Sequence, residues 1–273
     1  MSTTTSLDNH VLNRLALTES NMSELSQIDH ECSTIGEKLA YWRASKYDFA
    51  VATRRLHETQ EWRANSGMDR IVSDPNWLQK ERKFRYLLKY DFLGLDKYGR
   101  PVMVERVGAW NVRDVMEAAA NDDDFLKLHC IACETLIHMD RPNDAVDDRG
   151  QVIIMDCQGL SVGHLKPGLI KAFGRLSSND SAHYPDTLAH IFVVNAPTLF
   201  SVLATLIKPF MDPDTYSKVH VSSSVPKNLT EIVGSDCLPK SLGGKREGIF
   251  PYNEDAPLSD HPRAETMNHS RSI

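Results

Sequence analysis

Apolar positions in the first third of the chain recur every three or four residues, the period of helices with one buried face. Leu7, Val11 and Leu15 repeat at four, and Leu25, Ile28 and Cys32 at three and then four. Thr34 and Glu37 have capping-box spacing, with Ile35, Leu39 and Trp42 forming the stripe behind them. Asp48 predicts the N-cap of a further helix carrying Phe49, Ala52 and Leu56, which Asn65-Ser66-Gly67 ends. The pattern then shortens. Leu87 to Leu93 and Val102 to Val107 are strand-like, joined by the turn Asp96-Lys97-Tyr98-Gly99-Arg100-Pro101. Asn121 and the aspartates behind it open a long helix in which Phe125, Leu128, Ala132, Leu136 and Met139 share a face, and the acidic first turn complements the helix dipole. Strands at Val152 to Met155, Ile191 to Val194 and Lys218 to Ser222 alternate with helices at Leu165 to Leu176 and Thr198 to Lys208. Such alternation predicts an α/β fold with parallel crossovers. The expected division is a helical N-terminal lobe over residues 1–82, an α/β lobe over 83–250, and a flexible tail over 251–273, where Pro, Asp, His and Ser dominate.

One segment departs from the usual amphipathic pattern. Between Thr198 and Met211, Leu199, Val202, Leu203 and Leu206 occupy one side of a helix, while Phe200, Ala204, Ile207 and Met211 continue round the other. A helix apolar on nearly all sides is either buried in a core or apolar-faced toward two different things. Periodicity alone favours a central core helix. The other reading is a lid, with one face over an apolar ligand and the other toward a bilayer. Lys208-Pro209 stops the helix, and Asp212-Pro213-Asp214 turns the chain behind it.

Composition narrows the function. The formal net charge of −6 lacks the basic excess of nucleic-acid binders. The apolar runs are far too short to span a membrane, and the polar start, Met1 to Leu12, is unlike a signal peptide, which predicts a cytosolic protein. Five scattered cysteines argue against a disulfide framework. Cys130 and Cys133 form a CxxC inside a helical pattern with no second pair, so they are read as small buried hydrophobes and no metal site is expected. The phosphate-loop, dinucleotide, nucleophile-elbow and zinc-protease motifs are all absent, so no catalytic residue is expected.

Several ordered pieces of the chain resemble the CRAL-TRIO lipid-binding family. They are Arg43-Ala44-Ser45-Lys46-Tyr47-Asp48 with Glu61-Trp62-Arg63, then the turn at Asp96, then Ile154-Met155-Asp156-Cys157-Gln158-Gly159-Leu160. Tyr184-Pro185-Asp186, Val194-Asn195-Ala196-Pro197, Lys208-Pro209-Phe210-Met211-Asp212-Pro213, Leu238-Pro239 and Leu242-Gly243-Gly244 follow in order. The resemblance is to the stand-alone phosphatidylinositol/phosphatidylcholine transfer type. It implies a helical lobe packed on an α/β lobe whose mixed, mainly parallel sheet floors an apolar lipid cavity. The segment from Leu199 to Met211 then becomes the gate, with Leu199, Phe200, Val202, Leu203, Leu206, Ile207, Phe210 and Met211 as gate and acyl-chain contacts.

For the headgroup, the resemblance implies that Lys218 and Thr215 bind a phosphate, with Asp186 contacting inositol hydroxyls and Lys46 assisting from the N-terminal lobe. Ser45 stands where the family often has Arg, and Asp186 is one methylene shorter than the Glu of phosphoinositide binders. Ser161 matches a hydroxyl position for choline lipid, while Gly163 stands where a second hydroxyl would be. Asn195 is expected to cap the gate helix. No cofactor is implied; the phospholipid is a ligand. The resemblance further implies a cytoplasmic monomer that visits Golgi or endosomal membranes transiently, with lipid kinases as candidate partners. A sterol or tocopherol-like cargo, or a non-carrier module binding small GTPases or lipid kinases, remains the alternative.

Overall fold

The computed structural model describes residues 35–139 and 150–258. The stripes expected at Leu7 to Leu15 and Leu25 to Cys32, the cap at Thr34 and the tail 259–273 lie outside them. The chain forms two compact units, divided at Ser66 and Gly67, with Ala182–Asp186 belonging to the first.

The first unit is built on helices α1 (Ile35–Ala44) and α2 (Phe49–Ser66). Leu39, Tyr41 and Trp42 of α1 pack against Ala52 and Leu56 of α2. Asp48 caps α2 as its sequence position predicts, its Oδ1 accepting from the Val51 amide at 3.0 Å. Between the helices, Lys46 and Tyr47 adopt left-handed conformations, and the Tyr47 amide donates back to the Trp42 carbonyl at 2.9 Å. The segment Ala182–Asp186 is anchored in the same unit. The Tyr41 hydroxyl lies 2.8 Å from Thr59 Oγ1 and 3.0 Å from the His183 carbonyl, and Trp62 stacks on the His183 ring.

The second unit opens with α3 (Met68–Ile71) and α4 (Pro75–Leu88). The expected lobe boundary at Arg82 falls inside α4, whose Phe84 and Leu88 join the larger unit's core. Periodicity did not reveal this helix because its buried face also includes Glu81 and Arg85. The sequence does carry its start signal: Asp74 accepts from the Asn76 and Trp77 amides, and Pro75 follows at the first helical position. The strand expected from Leu87 therefore begins later, at Tyr90, once Lys89 has closed α4 in a left-handed cap.

Strands β1 (Tyr90–Leu95), β2 (Pro101–Glu105), β3 (Gln151–Asp156), β4 (Leu188–Val194) and β5 (Val219–Val221) form one sheet in sequential order. The pair β1–β2 is antiparallel, and β2 to β5 run parallel. In the β1–β2 turn, Asp96 Oδ1 accepts from the Tyr98 and Arg100 amides, and its Oδ2 pairs with Arg100 Nε at 2.7 Å. The crossovers contribute α5 (Val112–Ala120), α6 (Asp122–Ile137), α7 (Pro167–His183), α8 (Phe200–Ile207) and α9 (Pro213–Ser217); α10 (Lys227–Val233) follows β5.

The two faces of the sheet are covered unequally. On one face, Val102, Val104, Val152, Ile154, Phe192 and Val194 are fully buried against Leu229 and Val233 of α10 and against Leu238 and Leu242. This layer accounts for the Leu242-Gly243-Gly244 motif: a Cβ on Gly244 would lie 2.0 Å from the Leu238 carbonyl oxygen, so that approach requires glycine. Of residues 251–258, expected to be flexible, Tyr252 packs against this layer. Ala256 and Leu258 are buried with Phe250, and the Tyr252 hydroxyl donates to Asp156 Oδ2 at 3.1 Å.

Candidate functional site

The opposite face of the sheet carries the candidate site. Met103, Ile153, Met155, Ile191 and Val219 point there, and each stays only half-buried although helices lie over that face. Met103 and Ile153 touch the cluster built by α5, α6 and α7; Met155, Ile191 and Val219 touch the cluster that includes Phe200 of α8. Apolar surface thus remains accessible between two helix clusters, on a sheet whose other face is shut. An accessible apolar interior face is what a site for an apolar ligand requires.

Helix α8 lies over this face with one side in and one side out. Phe200 is buried, and Leu203 and Ala204 pack with it on Val193 and Ala196. Leu199, Ile207 and Met211 are half-buried. Val202 is 47% exposed, Leu206 42%, and Phe210, on the 3-10 turn Lys208–Phe210 after the helix, 39%. The segment is therefore two-faced, not a central core helix. Its far end rests on α7: the Ser177 hydroxyl donates to the Phe210 carbonyl at 2.7 Å, and the Phe210 ring lies over Gly174. A Cβ on Gly174 would meet that ring at 2.8 Å.

The headgroup candidates of this unit fall into two places. Thr215 lies on α9 and Lys218 just after it, at the entry to β5; the Lys218 amide donates to the Thr215 carbonyl. Lys218 Nζ donates to the Leu188 carbonyl at 2.7 Å, at the beginning of β4. Ser161 lies beyond the other end of β3, exposed, where it caps the 3-10 turn Val162–Leu165. Because β3, β4 and β5 are parallel, Ser161 and Lys218 stand at opposite ends of the sheet. In the register Lys218 stands level with Val152, four residues before the end of β3 at Asp156, or roughly 13 Å along the strands at about 3.3 Å per residue, and Ser161 follows beyond that end. One phosphate cannot reach both.

Sequence reasoning passed over His164, which is buried beside Ser161. Its Nδ1 accepts from the Ser161 amide at 3.1 Å, and its ring lies near Trp110. The Ser-x-x-His spacing, a variant of the capping box, was the available signal.

In the first unit Asp186 pairs with Arg43, Oδ2 to Nε at 3.2 Å. Arg43, in the same Arg-Ala-Ser-Lys stretch as Lys46, was not singled out from the sequence. Its Nη2 is buried with no hydrogen-bond acceptor among the described residues, an unusual condition for a guanidinium nitrogen. Lys46 is exposed on the α1–α2 turn, while Ser45 is buried with its Oγ 3.5 Å from Arg55 Nη1.

Asn195 does not cap α8 as expected: Leu199 occupies the N-cap position with no side-chain bond. Asn195 instead donates from Nδ2 to Asp156 Oδ1 at 2.9 Å, tying the end of β4 to the end of β3. The same Oδ1 accepts from the Gln158 amide at 3.0 Å. Here the Asp-Cys-Gln-Gly motif finds its cause. Gly108 packs so closely on this loop that a Cβ there would lie 2.2 Å from the Gln158 carbonyl oxygen, and Gly159, at φ +96°, faces it.

A profile of the CRAL/TRIO domain matches residues 88–244, more than half of the chain. The chain belongs to the CRAL/TRIO family. The CRAL/TRIO match covers all five strands and the two-faced α8, and ends at Gly244, the glycine packed on Leu238. Among curated relatives, the phosphatidylinositol/phosphatidylcholine transfer protein SFH7 of Arabidopsis thaliana is 28% identical over 76% of this chain and 38% of its own length. The chain thus spans well under half of that relative. The SEC14 cytosolic factor of Candida glabrata is 29% identical over 84% of this chain and 79% of its own. The crystal structure of Sfh5 superposes with a TM-score of 0.63 at 16% identity, covering 100% of both chains. At that identity the match speaks for the CRAL/TRIO fold alone. No described helix is long and apolar enough to cross a membrane.

Proposed function

We propose that this protein binds a single phospholipid, phosphatidylinositol or phosphatidylcholine, against the half-open face of its sheet and exchanges it between membranes. The observation that carries this reading is the unequal covering of the sheet: one face shut, the other apolar and accessible beneath a helix that is itself apolar outside. The name of the SFH7 relative, a phosphatidylinositol/phosphatidylcholine transfer protein, supports the same cargo.

Energy sets the form of such a carrier. A diacyl lipid has roughly 30 methylenes, so placing it in water costs about 25 kcal/mol at about 0.8 kcal/mol each. The protein must offset nearly all of this, which calls for enclosure. α8 is then the gate, with Phe200 and Leu203 toward the chains and Val202, Leu206 and Phe210 toward the bilayer. Lys218 and Thr215 take the inositol-lipid phosphate, and Ser161 serves choline lipid at the other end of the sheet. Lys218 exchanges its Leu188 carbonyl for the phosphate, a stronger charge-assisted partner. The protein performs no covalent chemistry, works in the cytoplasm with transient visits to Golgi or endosomal membranes, and presents its cargo to lipid kinases.

The first test is mass spectrometry of lipid co-purifying with the intact protein, followed by uptake from vesicles containing both labelled lipids. Near-stoichiometric phosphatidylinositol or phosphatidylcholine is expected. Lys218→Ala should lower inositol-lipid uptake and spare choline lipid. Equal uptake of both by the variant would remove the headgroup assignment. Absence of bound lipid, with no uptake from vesicles, would remove the carrier function.

A further inference from the structure

Helices α6 and α7 bring together three side chains that the lipid-carrier reading does not use. His129 and Cys133 are one turn apart on α6, and Asp180 comes from α7. His129 Nε2 lies 2.9 Å from both carboxylate oxygens of Asp180. Cys133 Sγ lies 3.5 Å from the same Nε2 and 4.0 Å from Asp180 Oδ1. Three potential ligand atoms of three types, nitrogen, sulfur and oxygen, thus converge within 4.8 Å of one another.

This triangle has the size of a tetrahedral metal site. Zinc bonds of about 2.0 Å to nitrogen and oxygen and about 2.3 Å to sulfur, at tetrahedral angles, set ligand atoms about 3.3–3.5 Å apart. The nitrogen–sulfur edge already fits, and the other two depart by about 0.5 Å or less on that comparison. A cation entering between His129 and Asp180 would lengthen their contact and draw the sulfur in, both by side-chain rotation. Cys133 is buried, and the His129 and Asp180 side chains are 25% and 37% exposed, which leaves room beside the three atoms for an ion. Imidazole, thiolate and carboxylate together suit zinc or cobalt, whereas magnesium and calcium call for oxygen alone. Cys130, the other half of the CxxC, belongs elsewhere, accepting from Asn179 Nδ2 at 3.4 Å.

We infer that His129 Nε2, Cys133 Sγ and an Asp180 oxygen form a binding site for one divalent transition-metal ion of the zinc class. The fourth position is left to solvent or a ligand atom. The proposed site does not depend on the lipid reading, because it rests on three side chains to which no headgroup or gate role is given.

Cobalt titration of the chelator-stripped, full-length protein tests it directly. Saturation at a single equivalent is expected, with a thiolate-to-cobalt charge-transfer band in the near ultraviolet. Cys133→Ser should abolish the band, while Cys237→Ser keeps it. Asp180→Asn, a change at a partly exposed side chain that should fold normally, replaces an anionic ligand by a neutral one and should weaken binding by on the order of tenfold or more. As a check that needs no variant, zinc should raise the melting temperature of the native chain by mass action. No saturable binding, a band that persists in Cys133→Ser, or an affinity unchanged in Asp180→Asn would overturn the site and leave His129–Asp180 as a simple ion pair. Lipid uptake by the metal-free protein, measured alongside, reports on the carrier reading separately.

Discussion

At the scale of single residues, the most consequential feature lies where periodicity was misleading. Glu81 and Arg85 of α4 are buried in a core of aromatic side chains, with Arg85 paired to Asp91 of β1 and Tyr90 donating to Glu81 Oε1 at 2.8 Å. Breaking a buried pair from one side strands a charge, whereas neutralising both partners does not. Arg85→Met is therefore expected to cost about 3–5 kcal/mol in urea denaturation, and Arg85→Met with Asp91→Asn to recover most of it. Equal losses in the single and double variants would mean that the pair is not coupled. Burial is the main influence on Glu81 and raises its carboxyl above the ordinary value, against the pull of Arg85 and the Tyr90 hydrogen bond. The folded protein then holds a proton that the unfolded chain releases, so this contribution is full below the ordinary carboxylate range and is lost as pH rises through the folded value. The urea midpoint of Glu81→Gln should fall less steeply than that of the native chain as pH increases from 4.5; parallel slopes would refute the assignment.

At the scale of elements, α8 separates two explanations that one hydrophobic pattern left open. A core helix would lose stability on gaining charge; an outward gate face would lose membrane contact instead. Because Val202 and Leu206 are exposed, at 47% and 42%, Val202→Asp and Leu206→Asp should change the melting temperature only slightly. Each forfeits about 1.5–3 kcal/mol of apolar burial in the bilayer, which slows vesicle exchange roughly tenfold or more. A melting temperature that falls in step with exchange would restore the core reading. The contact between Phe210 and α7 gives a second test. Gly174→Leu places a side chain where the Phe210 ring lies, so the end of the gate must lift. Greater vesicle association is expected in co-sedimentation, and unchanged association would mean that this contact does not hold the gate.

At the scale of the whole molecule, Asp156 ties distant parts of the larger unit together. Its carboxylate accepts from Asn195 at the end of β4, from the Gln158 amide and from Tyr252 of the C-terminal segment. Tyr252→Phe should cost about 1.5–3 kcal/mol, the range for hydrogen bonds to charged groups. Truncation after Phe250 should cost more, since it also removes the buried Ala256 and Leu258. Thermal denaturation checks both. A truncated protein as stable as the full chain would return residues 251–258 to the flexible tail that composition suggested.

The sequence by itself determined the α/β class, the strand–helix alternation, the cap at Asp48, the Asp96 turn and the apolar segment that became α8. These follow from local chemistry: periods of two and 3.6, capping oxygens, and residues that favour turns. The resemblance in its ordered motifs also pointed to the family. Only the tertiary structure decided that α4 buries Glu81 and Arg85, that Arg43 holds Asp186, and that Asn195 serves Asp156 instead of a helix cap. It alone showed that Ser161 and Lys218 stand at opposite ends of the sheet, and that Cys133 meets His129 and Asp180 while its neighbour in the CxxC turns to Asn179. The physical reason is common to all of these. Each depends on which side chains from distant segments share a low-dielectric space, and neither periodicity nor propensity along one chain encodes that partner.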